Sequence, residues 1–144
     1  MNMKFFFTCL SLLLFFGRAN AQGKIVVSIT NLTNSKGVCK TCLYDNASSF
    51  AGNGSAIKCV DVPIKNKTAN IVFETVAKGN YAIAIFHDEN RNNKMDKNFL
   101  GVPKEGYGAS KNKLPFASAP SFKDNQFKLK EKETVHLEIR LRNL

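Results

Sequence analysis

Hydrophobic residues recur at every second position over most of the chain, which is the period of a β-strand with one face in a core. The run from Thr134 to Arg142 alternates most regularly, with Val135, Leu137 and Ile139 on the inward face. No segment shows a helical period. The pattern predicts seven strands, over residues 24–30, 38–44, 57–64, 69–76, 81–86, 122–129 and 134–142.

Two details place individual strands within a sheet. Residues 81–86 are apolar on both faces, so they are predicted to form a central strand that is covered on each side. Pro63 cannot donate a ladder hydrogen bond and therefore places the third strand at a sheet edge. About seven short strands without a helix predict an all-β fold: a single antiparallel β-sandwich of immunoglobulin-like or transthyretin-like kind, with one long functional loop over residues 88–120.

The first residues predict a secretory signal peptide rather than part of the fold. Lys4 precedes an apolar run from Phe5 to Phe16, and Ala19 and Ala21 supply the small residues of a cleavage site. The apolar run is too short for a transmembrane helix. We therefore expect a secreted or periplasmic protein without a transmembrane segment, with residues 1–21 as signal peptide and residues 22–144 as one β-sandwich domain.

The chain is basic, with 21 Lys and Arg residues against 11 Asp and Glu residues. Loss of residues 1–21 removes only Lys4 and Arg18 from this balance, so the net charge falls from +10 to about +8. The lysines are scattered, and no aromatic-interleaved signature accompanies them, which argues against a nucleic-acid partner. An extracellular or envelope ligand is expected instead, with an anionic polymer as one class.

Three cysteines remain after residue 21, an odd number for an exported chain. Strand parity puts Cys42 and Cys59 on the polar faces of their strands, so this pair is the predicted disulfide, with Cys39 as a buried free thiol. Cys39 and Cys42 also have the spacing of a redox dithiol, but that motif ordinarily opens a helix. A zinc site formed by the three cysteines and His87 is a further alternative, without the paired close spacings typical of such sites.

The segment after the central strand carries oxygen-bearing side chains at alternate positions. The spacing of a calcium loop, counted from its first residue, selects Asp88, Asn90, Asn92, the carbonyl of Lys94, and Asp96. Asn93 stands where glycine is usual, and Phe99 where a bidentate glutamate is usual. We expect Glu105, Asp124 or a water to replace the missing ligand, and a weak Ca²⁺ site with a Kd of the order of 10⁻⁴–10⁻³ M.

Two other interpretations of this segment stay open. In the first, its Asn and Asp side chains only cap their own backbone in a turn. In the second, the chain is a hydrolase of envelope glycans that uses Glu105 as acid or base near Asp88 and Asp96. His87 precedes Asp88 but points to the opposite strand face, and no nucleophile motif completes a catalytic set, so His87 is expected to be structural. The predicted function is a non-catalytic binding module with a calcium-stabilised loop.

A long and specific motif is formed by residues 79–90, GNYAIAIFHDEN, together with Asp96 and residues 100–108, LGVPKEGYG. With this motif the chain resembles the bacterial family called domain of unknown function 2141, over nearly all of the chain after residue 21. The resemblance implies an exported protein and assigns no activity. The chain departs from the family pattern at Ala109, where an aromatic is usual, and at Cys39 and Cys42, where apolar or small residues are usual.

Overall fold

The computed structural model of the protein describes residues 22–52, 54–116 and 118–144, so the predicted signal peptide, including Cys9, lies outside the described residues. Its elements in chain order are β1 (Gly23–Thr30), β2 (Val38–Tyr44), a 3-10 turn (Phe50–Gly52), β3 (Lys58–Pro63), β4 (Ala69–Val76), β5 (Gly79–Asp88), β6 (Tyr107–Ala109), α1 (Phe122–Asn125), β7 (Phe127–Leu129) and β8 (Thr134–Arg140). Within the described residues, no helix has the length and apolar character needed to cross a membrane.

Two sheets pack face to face around the larger of two clusters of buried apolar residues. β4, β1 and β8 form one sheet in that order, and β3, β2, β5 and β6 form the other, with β7 also paired to β5. The core lies between the sheets because the inward side chains of β1 are Ile25, Val27 and Ile29, and those of β5 include Ile83 and Ile85, all of them buried. The predicted all-β sandwich is confirmed.

One strand pairing departs from the predicted antiparallel order. β1 and β8 run parallel, with Lys24 opposite Thr134 and Thr30 opposite Arg140. Parallel neighbours need a long crossover connection, and the chain between the first and last strands provides it. Beyond the end of β8, the N–H of Arg142 donates to the carbonyl of Tyr107 in β6 at 2.8 Å, which joins the two sheets along one side.

The strand predicted over residues 122–129 is wrong in its first half, because residues 122–125 form the one-turn helix α1. Ser121 caps this helix, since its Oγ accepts the N–H of Asp124 at 3.1 Å. The buried Asn125 side chain then donates to the carbonyls of Lys113 and Ser121 at 3.0 and 3.1 Å. A single turn is too short to leave a helical period in the sequence. The three-residue strand β6 was likewise hidden inside the predicted loop.

The cysteines follow the predicted strand parity. Cys42 of β2 lies directly opposite Cys59 of β3, with their Cα atoms 4.1 Å apart, and the two form a disulfide. Cys39 is a buried free thiol, and burial raises its pKa to about 12. The predicted pairing is therefore confirmed, whereas the redox dithiol and the three-cysteine zinc site are wrong because Cys42 is bonded to Cys59. Pro63 ends β3 at the sheet edge, as predicted.

Candidate functional site

Asp88 is the last residue of β5, and its side chain organises the turn that follows. The carboxylate is fully buried. Its Oδ1 accepts the N–H of Asn92 at 3.0 Å, and its Oδ2 accepts the N–H of Asn93 at 2.8 Å. Asn93 adopts a left-handed backbone with φ of 63°, which asparagine tolerates better than most residues. The departure from glycine at this position is therefore accommodated.

Glu105 performs the same task at the other end of the loop. Only 6% of the residue is exposed. Its Oε1 accepts the N–H of Glu89 at 3.1 Å, and its Oε2 accepts the N–H of Asp96 at 2.9 Å. Hydrogen bonds to an ionised acceptor are stronger than neutral ones, and buried backbone donors require a partner. Asp88 and Glu105, here called the carboxylate hub, thus order the loop over residues 89–96.

Asp96 joins the two asparagines of the loop. The amide nitrogens of Asn90 and Asn92 donate to its Oδ2 and Oδ1 at 2.7 and 2.9 Å. The amide oxygens face the backbone instead, where that of Asn90 accepts the N–H of Asn92 at 3.1 Å and that of Asn92 accepts the N–H of Lys94 at 2.8 Å. The structure therefore brings together five predicted ligand side chains and the backbone of Lys94.

The oxygen atoms of this cluster are directed at N–H groups rather than at a common point. Within the described residues, no three or more His, Cys, Asp or Glu side chains are grouped so as to hold a metal ion. A calcium ion would require Asn90 and Asn92 to turn their amide oxygens toward Asp96. Asp124, considered above as a replacement ligand, instead accepts the Ser121 hydroxyl at 2.6 Å next to α1.

His87 occupies a structural position beneath the loop. The ring is fully buried, and its Nε2 lies 2.8 Å from the carbonyl oxygen of Lys36, so Nε2 carries the proton in the neutral ring. Its Nδ1 lies 3.7 Å from Oε1 of Glu89. A hydrogen bond from Asn34 is the main cause that lowers the pKa of Glu89, and a hydrogen bond from Thr33 adds to it against the opposing effect of burial. These contacts fasten the start of the loop to the turn between β1 and β2.

The outer face of the larger sheet forms the floor of a groove of about 720 Å³. Cys42 pairs with Ala84 across β2 and β5, and Phe86 pairs with Tyr107 across β5 and β6. The side chain at residue 84 is small, so the floor is recessed between the larger side chains of Tyr44 and Phe86. This explains why β5 is apolar on both faces: one face meets the core between the sheets, and on the other Ala82 is buried in a second apolar cluster with Tyr44 and Phe50 while Ala84 and Phe86 line the groove.

Four parts of the chain border the groove: residues 51–52, residues between 95 and 103, Phe116 with residues 118–120, and Leu144. Several of their apolar side chains are exposed. Those with the largest exposure are Leu100, Val102, Phe116 and Leu144, and Phe116 is 93% exposed. Arg142 positions the segment before Phe116, because its guanidinium donates to the carbonyls of Leu114 and Pro115 at 2.7 and 2.9 Å. A contiguous exposed apolar surface of this kind marks an interaction site.

Sequence reasoning missed this groove. The apolar residues on both faces of β5 were interpreted as burial alone, which is correct for Ala82 but not for the groove floor, and the apolar residues of the long loop, such as Leu100 and Phe116, were not connected with it. A usable signal was present, since large apolar side chains in a loop rich in Gly, Pro and Asn rarely serve a turn. Glu105, the acid or base of the hydrolase alternative, does not line the groove. Both of its oxygens are occupied by backbone N–H groups, which removes the main support for that alternative.

The profile of a bacterial family described as "Uncharacterized protein conserved in bacteria (DUF2141)" matches residues 27–136, so the predicted resemblance is confirmed. The matched range extends from β1 into β8 and includes the carboxylate hub and the groove floor. Searches of curated proteins and of solved structures gave no match.

Proposed function

We propose that this chain, which belongs to the DUF2141 family of uncharacterized bacterial proteins, is an exported, non-catalytic binding module. Its ligand occupies the groove on the outer face of the β3-β2-β5-β6 sheet. The observation that carries the proposal is the groove itself, a concavity of about 720 Å³ with an apolar floor and exposed apolar walls. Small-molecule sites have volumes and linings of this kind.

Two observations support export and the absence of catalysis. The Cys42–Cys59 disulfide fits a protein that works outside the reducing cytoplasm. The carboxylates of Asp88 and Glu105 each accept two backbone N–H groups, which leaves neither free to move a proton to or from a substrate. The carboxylate hub therefore orders the loop over residues 89–96, of which Met95 lines the groove.

The groove is tested with an uncharged fluorescent probe of apolar sites, Nile red. Ala84→Phe places a large side chain on the recessed floor, and we expect it to weaken Nile red binding about tenfold or more, or 1.4 kcal/mol. Asn70→Phe makes an equally large change on β4, in the other sheet, and should leave binding unchanged. Saturable binding that survives Ala84→Phe would overturn the proposal.

We further propose that Ca²⁺ stabilises the loop through Asp88, Asn90, Asn92, Lys94, Asp96 and Glu105. The support is that the amides of Asn90 and Asn92 meet at the carboxylate of Asp96 and that Glu105 accepts the backbone N–H of Asp96; Lys94 would contribute its carbonyl, and the ion would replace the amide donors of Asn90 and Asn92. For a Kd of the order of 10⁻⁴–10⁻³ M, about 10 mM Ca²⁺ would raise the free energy of unfolding by about 1.4–2.7 kcal/mol.

Thermal unfolding in Ca²⁺ and in chelator measures this increment. Asp96→Ala should abolish it, because the carboxylate of Asp96 is the meeting point of the two amides. Asp61→Asn is the control, since Asp61 is an exposed carboxylate paired with Lys40 at 3.0 Å. Identical wild-type melting curves in Ca²⁺ and chelator would refute calcium binding and leave the groove proposal intact.

A further inference from the structure

We infer that the groove binds a single-chain anionic amphiphile, namely a long-chain carboxylate, with its chain on the apolar floor and its head group at Lys97. The inference rests on the proposed groove function and names the ligand class for it. Three features carry it: the apolar lining, the sign of the charges on that lining, and the concave shape of the surface.

The lining is suited to a hydrocarbon chain rather than to a polar ligand. The floor row of Cys42 and Ala84 offers a disulfide sulfur and a methyl group, and the adjacent row offers the rings of Phe86 and Tyr107. The sulfur, the methyl group and the ring faces need no hydrogen bond from a ligand, and the hydroxyl of Tyr107 is the one polar group among these side chains. A sugar or a peptide would bury several unpaired polar groups on this floor, at a cost that a hydrocarbon chain avoids.

The charged residues among those lining the groove are both lysines, Lys40 and Lys97. The ammonium of Lys40 is already held by Asp61 at 3.0 Å and by the amide oxygen of Asn93 at 2.6 Å. Lys97 is exposed and, among the residues that the structure describes, pairs with no carboxylate. Lys97 is therefore the cation available to an anionic head group, and the basic chain reinforces the attraction at longer range.

The shape of the surface favours one chain taken from solution over a membrane surface. Leu100, Phe116 and Leu144 border a concavity, whereas membrane-binding surfaces present their apolar side chains on an outward-facing amphipathic face with several Lys or Arg around it. Among the residues that line the groove, only Lys97 supplies a charged side chain without a carboxylate partner, since Lys40 is paired with Asp61. A single acyl chain with one carboxylate matches both the concavity and the single free ammonium.

The inference is tested by isothermal titration calorimetry of the exported protein with tetradecanoate, dodecanoate and tetradecyltrimethylammonium, each below its micelle-forming concentration. We expect one tetradecanoate per chain. Removal of two methylene groups should weaken binding about 15-fold, since each buried methylene contributes about fourfold. The cationic amphiphile should bind more weakly than the anionic amphiphile of the same chain length.

Variants separate the head group from the chain. Lys97→Gln should weaken tetradecanoate binding about two- to fivefold, as expected for an exposed ion pair, and leave the cationic amphiphile unaffected or better bound. Lys94→Gln removes a charge from the same loop outside the lining and is the matched control. Ala84→Phe should weaken both amphiphiles.

Three outcomes would overturn the inference. Equal affinity for the anionic and cationic amphiphiles would show that Lys97 selects nothing, although the groove would still bind apolar ligands. Equal affinity for the two chain lengths would exclude chain burial on the floor. Sedimentation with phosphatidylglycerol vesicles in the absence of tetradecanoate binding would identify a membrane surface as the ligand. In each case the Nile red experiment reports separately on the groove.

Discussion

Asp88→Asn is the sharpest test of how the loop beside the groove is ordered. The side chain keeps its size and place, but one of its two acceptor oxygens becomes an amide nitrogen. Either orientation then turns a donor toward the N–H of Asn92 or of Asn93, which the wild-type carboxylate satisfies at 3.0 and 2.8 Å. The variant loses one charge-assisted hydrogen bond and places two buried N–H donors against each other. Together these changes lower the stability of the loop by about 2–4 kcal/mol.

Amide hydrogen exchange, measured in the presence of a chelator, shows which residues lose protection. We expect the amides of Asn92 and Asn93 to exchange about 30- to 1,000-fold faster in Asp88→Asn, the ratio that corresponds to 2–4 kcal/mol. Glu105→Gln should instead accelerate the amides of Glu89 and Asp96, which Glu105 accepts in the wild type. Chelator matters because it removes any contribution of a bound cation.

The same isosteric change at an exposed position provides the control. The Asp61 side chain is 51% exposed and forms an ion pair with Lys40, so Asp61→Asn should cost below about 1 kcal/mol and leave loop exchange unchanged. Wild-type exchange rates at Asn92 and Asn93 in Asp88→Asn would refute the carboxylate hub. If Asp88→Asn accelerated the exchange of these amides in Ca²⁺ but not in chelator, the role of Asp88 would be to bind the metal.

Two further predictions concern the cysteines. Removal of the disulfide by Cys42→Ala with Cys59→Ala should lower the free energy of unfolding by about 3 kcal/mol in urea titrations, because the bridge closes a loop with a sequence separation of 17; an unchanged unfolding midpoint would contradict this. The thiol of Cys39 should resist a thiol reagent at pH 8 until the chain unfolds, and stability should fall as pH rises from 9.0 toward about 12, because the folded state holds the proton that the unfolded state releases. Native reactivity equal to that of the unfolded chain would refute its burial.

The sandwich could be predicted from the sequence because a strand with one core face and one solvent face has apolar and polar residues in alternation. β1 and β8 illustrate this, with Ile25, Val27 and Ile139 all facing the core. α1 could not be predicted, since its single turn depends on the Ser121 cap and on contacts of Asn125 with residues distant in sequence. The parallel pairing of β1 with β8 was equally hidden, because alternation is the same for either strand direction.

The sequence singled out residues of the loop that the structure joins by hydrogen bonds, while their partners remained ambiguous for a physical reason. A tight turn that leaves a buried strand exposes several backbone N–H groups at once, and the side chains that satisfy them carry the same oxygen atoms that a hard cation prefers. Asp88 and Glu105 therefore look like calcium ligands in the sequence whether they bind an ion or the N–H groups of Glu89, Asn92, Asn93 and Asp96.

What distinguishes the two roles is the electrostatic requirement of each. A backbone hub needs each carboxylate buried and bonded to N–H donors, as Asp88 and Glu105 are, whereas a calcium site needs oxygens whose remaining lone pairs face a common point. Asp96 lies between these cases, since its oxygens accept only side-chain amides that can rotate. The proposed ion is therefore added to a loop already ordered by Asp88 and Glu105. It follows that Asp96→Ala should remove the calcium response while the amides of Asn92 and Asn93 keep their protection.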